Sequence, residues 1–439
     1  MLYAFNIGEA RLAFQAAEKA DPASAAAYAA EAIADSFDIN IPTTAEGEKR
    51  GADAVARGRK NAATATDDRA LLEAAAQRYD PAKTPKQRFA AYASAIQRYA
   101  DERPSDGMGL TLAAYATWNA ADSLTDRSDA LTPQAQTIAR DLDAALAVDP
   151  DDLGAHHLRI HFWEVAKHPE RALPDAEYLA RLTFDPGQSH LPHMAGHTYS
   201  RTGNYAALVA ANEAAIANDG AYFKLGDGEG QRYMRTYHDH DVDFVLYGLT
   251  TVGRNAEARA LAVHESQAMR LRLAVRLHQN AEILKLIGGA ITPERVQAEV
   301  WAGDVAAAQR DLASVRKSES DARTDVAEAV LDRAKGDRTA ALAAYAKARK
   351  AIGTYPGDPK TLWAAPVGEG EGVTLLAAGR PAEAERVFRS ELATYPNDPH
   401  LFYGLAQALK AQGKDDSEPR RAYQDAWKGD RPLTLGDLG

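Results

Sequence analysis

Apolar positions recur along this chain at helical spacings of three and four, in segments of roughly 12–16 residues separated by short breaks. No segment alternates apolar and polar residues in the period-two manner of a half-buried strand. The breaks have two chemistries. Asp21-Pro22, Asp80-Pro81, Asp149-Pro150, Asp185-Pro186, Asp358-Pro359 and Asp398-Pro399 place proline where a first helical turn tolerates it, behind an aspartate able to cap. Gly203-Asn204-Tyr205, Gly253-Arg254-Asn255, Gly336-Asp337-Arg338 and Gly379-Arg380-Pro381 end one helix and admit the next. The segments pair as helix-turn-helix units from end to end, which predicts an all-α protein, an α-solenoid. One stretch, Asp219 to Gly230, is too rich in glycine for a helix; it predicts a long loop, either a solvated linker or a flap over a groove. At the start, Met1-Leu2-Tyr3-Ala4-Phe5 reads as already inside a helix, so a helix start, with an export signal, is expected upstream.

The small-residue pattern of these units resembles the tetratricopeptide repeat, with a small residue in helix A, small-x3-aromatic in helix B, then proline; the resemblance implies a right-handed superhelical α-solenoid. Gly372, Ala384, Phe388 and Pro396 fit it, as do Gly196, Tyr199, Gly203, Tyr205 and Ala215, and Ala341, Tyr345 and Ala348. The organisation expected is residues 1–265 as one stretch of repeats and 266–439 as further repeats continuous with it.

Composition narrows the chemistry. Hydrophobic residues make up 46% of the 439, but aromatics only 8%, and alanine carries much of the difference. Alanine favours helix because it loses no side-chain entropy, and its small size lets helices approach closely. The net charge of −11, without a basic stripe, argues against nucleic acid. With no cysteine there is no disulfide, thiolate nucleophile or Cys-type zinc site. No run of 18 apolar residues is present to span a bilayer. No Walker loop, dinucleotide fingerprint or nucleophile elbow occurs.

The histidines are unevenly placed. Nine of 12 lie between residues 156 and 240, in three groups on three successive A helices. His157 and His161 stand one turn apart, with Glu164 three residues on. His193 and His197 stand one turn apart, with His190 a turn before them. His240 and Asp243 form the third group, where Asp239 and Asp241 are candidate helix caps. An i,i+4 histidine pair is a natural chelate, because two imidazoles on one helical face reach one ion. In tetratricopeptide repeats, places two, five, nine and twelve of helix A face the concave groove. With each frame set from small residues and turns, all eight of these residues fall on such places. His156, His168 and His238 fall off them and are expected to pack or to lie at the surface.

Around these residues the chain resembles a family of bacterial tetratricopeptide-like proteins. That family's Gly-Ala-x-His-x-x-Ile-His-x-x-Glu segment corresponds to Gly154, Ala155, His157, Ile160, His161 and Glu164, followed by His168 to Leu173. Its His-x-x-His-Met-Pro-Ser-His block corresponds to His190, His193, Met194 and His197, with Tyr199, Arg201 and Gly203 after it. Its Tyr-x-x-His-Asn-x-His-Phe block corresponds to Tyr237, His240 and Phe244. Ala195-Gly196 stands in place of Pro-Ser, Asp241 in place of Asn, and Asp243 in place of His.

The ligand set expected is His157, His161, Glu164, His193, His197 and His240, with His190 and Asp243 as further ligands or as supports of the ligands. Glu164 has an alternative role, orienting a ligand histidine. Imidazole and carboxylate suit Fe, Cu or Zn, as one or two ions. Trp163, Tyr199, Tyr237 and Tyr247 are candidates to wall a substrate pocket or supply protons. The first functional expectation is a metalloenzyme acting on a small molecule or peptide in the groove, oxidoreductase chemistry ahead of hydrolysis. The alternative is a non-catalytic scaffold binding a peptide or protein partner there.

Overall fold

The computed structural model describes residues 1–35, 39, 43–62, 67–126, 128–166, 168–226, 229–318, 321–352 and 366–439; for residues 67 and 229–234 it describes the backbone alone. Among these residues the chain is helical throughout and holds no strand, only an isolated antiparallel bridge between Thr125 and Leu131. Most helices pack against the next in sequence, many of them joined by short turns, which is the helix-turn-helix arrangement of an α-solenoid. No described helix is long and apolar enough to cross a membrane. Contacts divide the chain into two units, residues 1–198 with 214–238, and residues 199–213 with 239–439.

The breaks work largely as the sequence implies. The helices Gly107–Ala120 and Leu153–Val165 start on the aspartate caps Asp106 and Asp152. Ala25–Ala34, Pro85–Asp101 and Pro133–Val148 start on Ser24, Thr84 and Thr132. Asp398 caps Pro399–Ala411 with Pro399 at the first position. At Asp21-Pro22, Asp80-Pro81 and Asp149-Pro150 the aspartate instead follows the preceding helix. The next helix begins a few residues later on Ser24, Thr84 or Asp152, whose hydroxyl or carboxylate takes the free first-turn N–H groups. Gly203 and Gly253 adopt φ of 73° and 86°, the left-handed geometry that ends a helix with little strain at glycine. Asp358-Pro359 and Trp363 lie outside the described residues.

In the second unit the small-residue pattern has a direct packing cause. Phe388 is fully buried, and its ring occupies the space where a Cβ at Gly372 or Gly404 would stand. Ala341, Tyr345 and Ala348 are likewise buried.

Three expectations are corrected. Asp219 to Gly230 is not one long loop: the helix Tyr205–Phe223 runs through Gly220, and the next, Glu229–Thr251, begins beside Gly230. Tertiary contacts outweigh the glycine cost of about 1 kcal/mol. Buried Tyr222 donates to Glu9 Oε1 at 2.8 Å, and buried Asp219 meets His238 Nδ1 at 3.0 Å. Asp239 and Asp241 therefore sit mid-helix and cap nothing. At the start, Met1–Phe5 is not part of the first helix. Leu2–Ala4 is a 3-10 turn, Phe5 is left-handed at φ 53°, and Asn6 caps Ile7–Ala20.

Candidate metal centre

Two helix starts in the first unit set the histidine faces. Asp152 Oδ1 accepts from the N–H groups of Gly154 and Ala155 at 2.8 and 3.1 Å and fixes the phase of Leu153–Val165. The turn before His190–Thr202 is held from both sides. Asn6 Nδ2 donates to the Gly187 carbonyl at 3.2 Å, and Asn218 Oδ1 accepts from Gly187 and Gln188 N–H at 3.0 and 3.1 Å. The four-residue spacing then turns His157 with His161, and His193 with His197, onto single faces.

His157, His161 and His190 are all buried, and each offers a ring nitrogen within 4.8 Å of the other two. Ring centroids lie 4.9 Å apart for His157–His161 and His157–His190, and 6.0 Å apart for His161–His190. Both nitrogens of His157, both of His190 and Nε2 of His161 make no hydrogen bond within the protein. Burial drives His157 down to about 3; the Tyr3 backbone opposes this from a place close to the ring, without the geometry of a full hydrogen bond. Burial, then the neighbouring imidazoles, holds His161 and His190 well below the ordinary histidine value. All three are therefore neutral at pH 7, the form whose lone pair binds a metal.

The second pair stands alongside. His193 Nε2 and His197 Nε2 face each other at 2.9 Å, and His197 Nδ1 lies 3.2 Å from Glu164 Oε1. That carboxylate accepts the Nδ1 proton of His197 and leaves its Nε2 lone pair directed at His193. The His161–His197 and His190–His193 centroids are 5.9 and 5.5 Å apart, so the two groups adjoin.

Of the expected site residues, the first unit brings together His157, His161, Glu164, His190, His193, His197 and Tyr237, whose ring is 4.6 Å from that of His190. Trp163 turns to other neighbours, Phe162 at 4.8 Å and the Arg171 guanidinium at 4.5 Å. Tyr199, His240, Asp243 and Tyr247 belong to the second unit, and all are buried. There His240 packs on Phe244 at 4.9 Å, Asp243 is ion-paired with Arg272, and Tyr247 packs on Tyr205 at 5.9 Å. Burial raises the Tyr247 hydroxyl above its usual range.

The three histidines expected off the face have other partners. His156 meets Asp175 at 2.7 Å and the Pro150 carbonyl at 3.0 Å; exposed His168 meets Glu170; His238 meets Asp219. The sequence reading missed Phe5, whose fully buried ring lies 4.7 Å from His157 and 4.9 Å from His190. It also missed Asn6, which ties the chain start to the His190 helix. The one signal was an apolar run ending at a capping asparagine.

No family model matches this chain, and no curated protein does. Among solved structures, a tetratricopeptide repeat protein from Parabacteroides merdae ATCC 43184 is similar, at a TM-score of 0.36 and 14% identity, over 64% of this chain and 93% of that one.

Proposed function

We propose that this helical-repeat protein holds a transition-metal centre on His157, His161 and His190, with His193 and His197 as an adjoining chelate, and that the centre performs oxidoreductase chemistry on a small molecule or peptide. The observation that carries the reading is the trio of buried neutral imidazoles, each offering a convergent ring nitrogen and each with at least one nitrogen that makes no hydrogen bond within the protein. A buried polar group without a partner costs about 1–3 kcal/mol, and an ion that accepts the lone pairs removes that cost. An all-nitrogen set suits Cu, Fe or Zn. Redox chemistry is favoured over hydrolysis because Glu164, the carboxylate on the same helical face, is engaged by His197 and is no free general base. Tyr237 is the aromatic residue assigned to substrate or to proton supply, from its place against His190.

Elemental analysis of the purified protein tests the centre. Near-stoichiometric Cu, Fe or Zn is expected, falling in both His157→Ala and His193→Ala while far-ultraviolet circular dichroism stays unchanged. Content unaffected by either substitution removes the reading and leaves a peptide-binding scaffold. For the redox part, the isolated protein should change its electron paramagnetic resonance signal reversibly with reductant. A protein carrying zinc alone, silent throughout, rejects it.

A further inference from the structure

The second unit contains another convergence of ligand atoms, unrelated to the first in sequence. Glu369, Asp398 and His400 are all buried, and each offers an oxygen or nitrogen within 4.8 Å of the other two. Asp398 caps its helix by accepting from the His400 N–H at 2.8 Å, which brings the His400 ring back over the same carboxylate. His400 is 4% exposed, yet its Nδ1 makes no hydrogen bond. Its distance to Asp398 Oδ1 is 3.4 Å. Ligand bonds of about 2.0–2.2 Å around a tetrahedral ion separate neighbouring ligand atoms by about 3.3–3.6 Å. The spacing is thus that of two ligands sharing one ion.

Charge points the same way. Arg276 holds both oxygens of Glu369 at 3.0 and 3.1 Å. One guanidinium stands against two buried carboxylates, so the group carries an excess negative charge. Each carboxylate oxygen has a second lone pair, so Arg276 can orient Glu369 without consuming its ligand capacity.

We infer that Glu369, Asp398 and His400 form a separate binding site for a divalent cation of the zinc type. His400 also lines a cavity of about 530 Å³ shared with Arg259, Arg276, His278 and Trp427, which provides an entry path. The site does not depend on the histidine centre of the first unit.

The test is a Zn²⁺ titration of the metal-free full-length protein, counting equivalents bound with a competing chelator. Asp398→Asn keeps the helix cap, and His400→Gln keeps a polar side chain of similar reach. Each should lose one equivalent relative to wild type, and the loss should add to that caused by His157→Ala. Folded variants that keep the full wild-type count overturn the inference. A second measurement spares the ligands. The Trp427 ring is 5.3 Å from that of His400, so Co²⁺ bound there must quench its fluorescence. A quenching component lost in Trp427→Phe supports the site, and identical quenching in the two proteins overturns it.

Discussion

Replacing His157 by leucine should make the metal-free protein more stable and abolish its stabilisation by metal. His157 is fully buried, and the Tyr3 backbone is the one group near enough to ease its ring nitrogens, neither of which makes a well-formed hydrogen bond. Leaving a buried donor or acceptor unmatched costs about 1–3 kcal/mol; a neutral imidazole presents one of each, and the Tyr3 carbonyl can ease only the donor, so the acceptor stays unmatched. Leucine removes both and adds apolar contact with Phe5, whose ring already lies 4.7 Å from the histidine. Imperfect fit returns up to about 1.5 kcal/mol. The net expectation is a gain of up to about 3 kcal/mol, a rise in Tm of about 2–4 °C per kcal/mol for a unit of this size. Wild type at a metal concentration one hundred times its dissociation constant gains about 2.7 kcal/mol by linkage. The assay is thermal unfolding of both proteins, stripped by chelator and then with zinc or copper added. The two curves should cross: the variant higher without metal, wild type higher or level with it. A variant less stable than stripped wild type, yet still shifted by metal, would refute both the unmatched-imidazole account and the ligand role.

The same pair of proteins should diverge with pH. His157 sits at about 3 in the fold against about 6.5 unfolded, so the stability it permits is complete above pH 6.5 and is lost as pH falls towards 3. The advantage of His157→Leu over stripped wild type should therefore grow by about 3 kcal/mol between pH 7 and pH 4 in urea titrations, and a constant difference rejects the shift. Glu164→Ala removes the carboxylate holding His197 Nδ1 and should weaken metal affinity about 10–100-fold in chelator competition. Unchanged affinity would leave Glu164 without a positioning role. Gly154→Ala would set a Cβ 2.6 Å from the Tyr3 ring. Its helix gain of about 1 kcal/mol should be outweighed by overlap of about 1–3 kcal/mol, so Tm falls; a rise would show that the Tyr3 ring moves freely aside.

The repeat architecture was legible because its signals are local. Gly203 and Gly253 end helices by their own backbone freedom, and Ser24, Thr84, Asp106 and Asp152 start them by reaching N–H groups two or three residues away. The failures were also local judgements, overturned by distant partners. Asp219 to Phe223 reads as loop on propensity, but Tyr222 bonds Glu9, more than 200 residues earlier, and that contact keeps the segment helical.

The same distinction explains the candidate site. The i,i+4 spacing within each helix gave the two histidine pairs, since 3.6 residues per turn fixes that geometry without knowledge of the fold. His190 was ranked below His197 as a ligand, yet His190 completes the convergent trio while His197 leans on Glu164. What reverses their order is the turn at Gly187, fixed by Asn6 from the far end of the unit and by Asn218 from the following helix. Phe5 belongs to the same arrangement. Its left-handed backbone at φ 53° carries a strain of about 1–3 kcal/mol for a non-glycine residue. That strain is held where the ring covers His157 and His190, and Asn6 beside it is the residue that anchors the histidine helix. The chain start therefore acts on the trio twice, by excluding water from His157 and His190 and by setting the position of the helix that carries His190, so loosening Asn6 should disturb His190 before it disturbs His157.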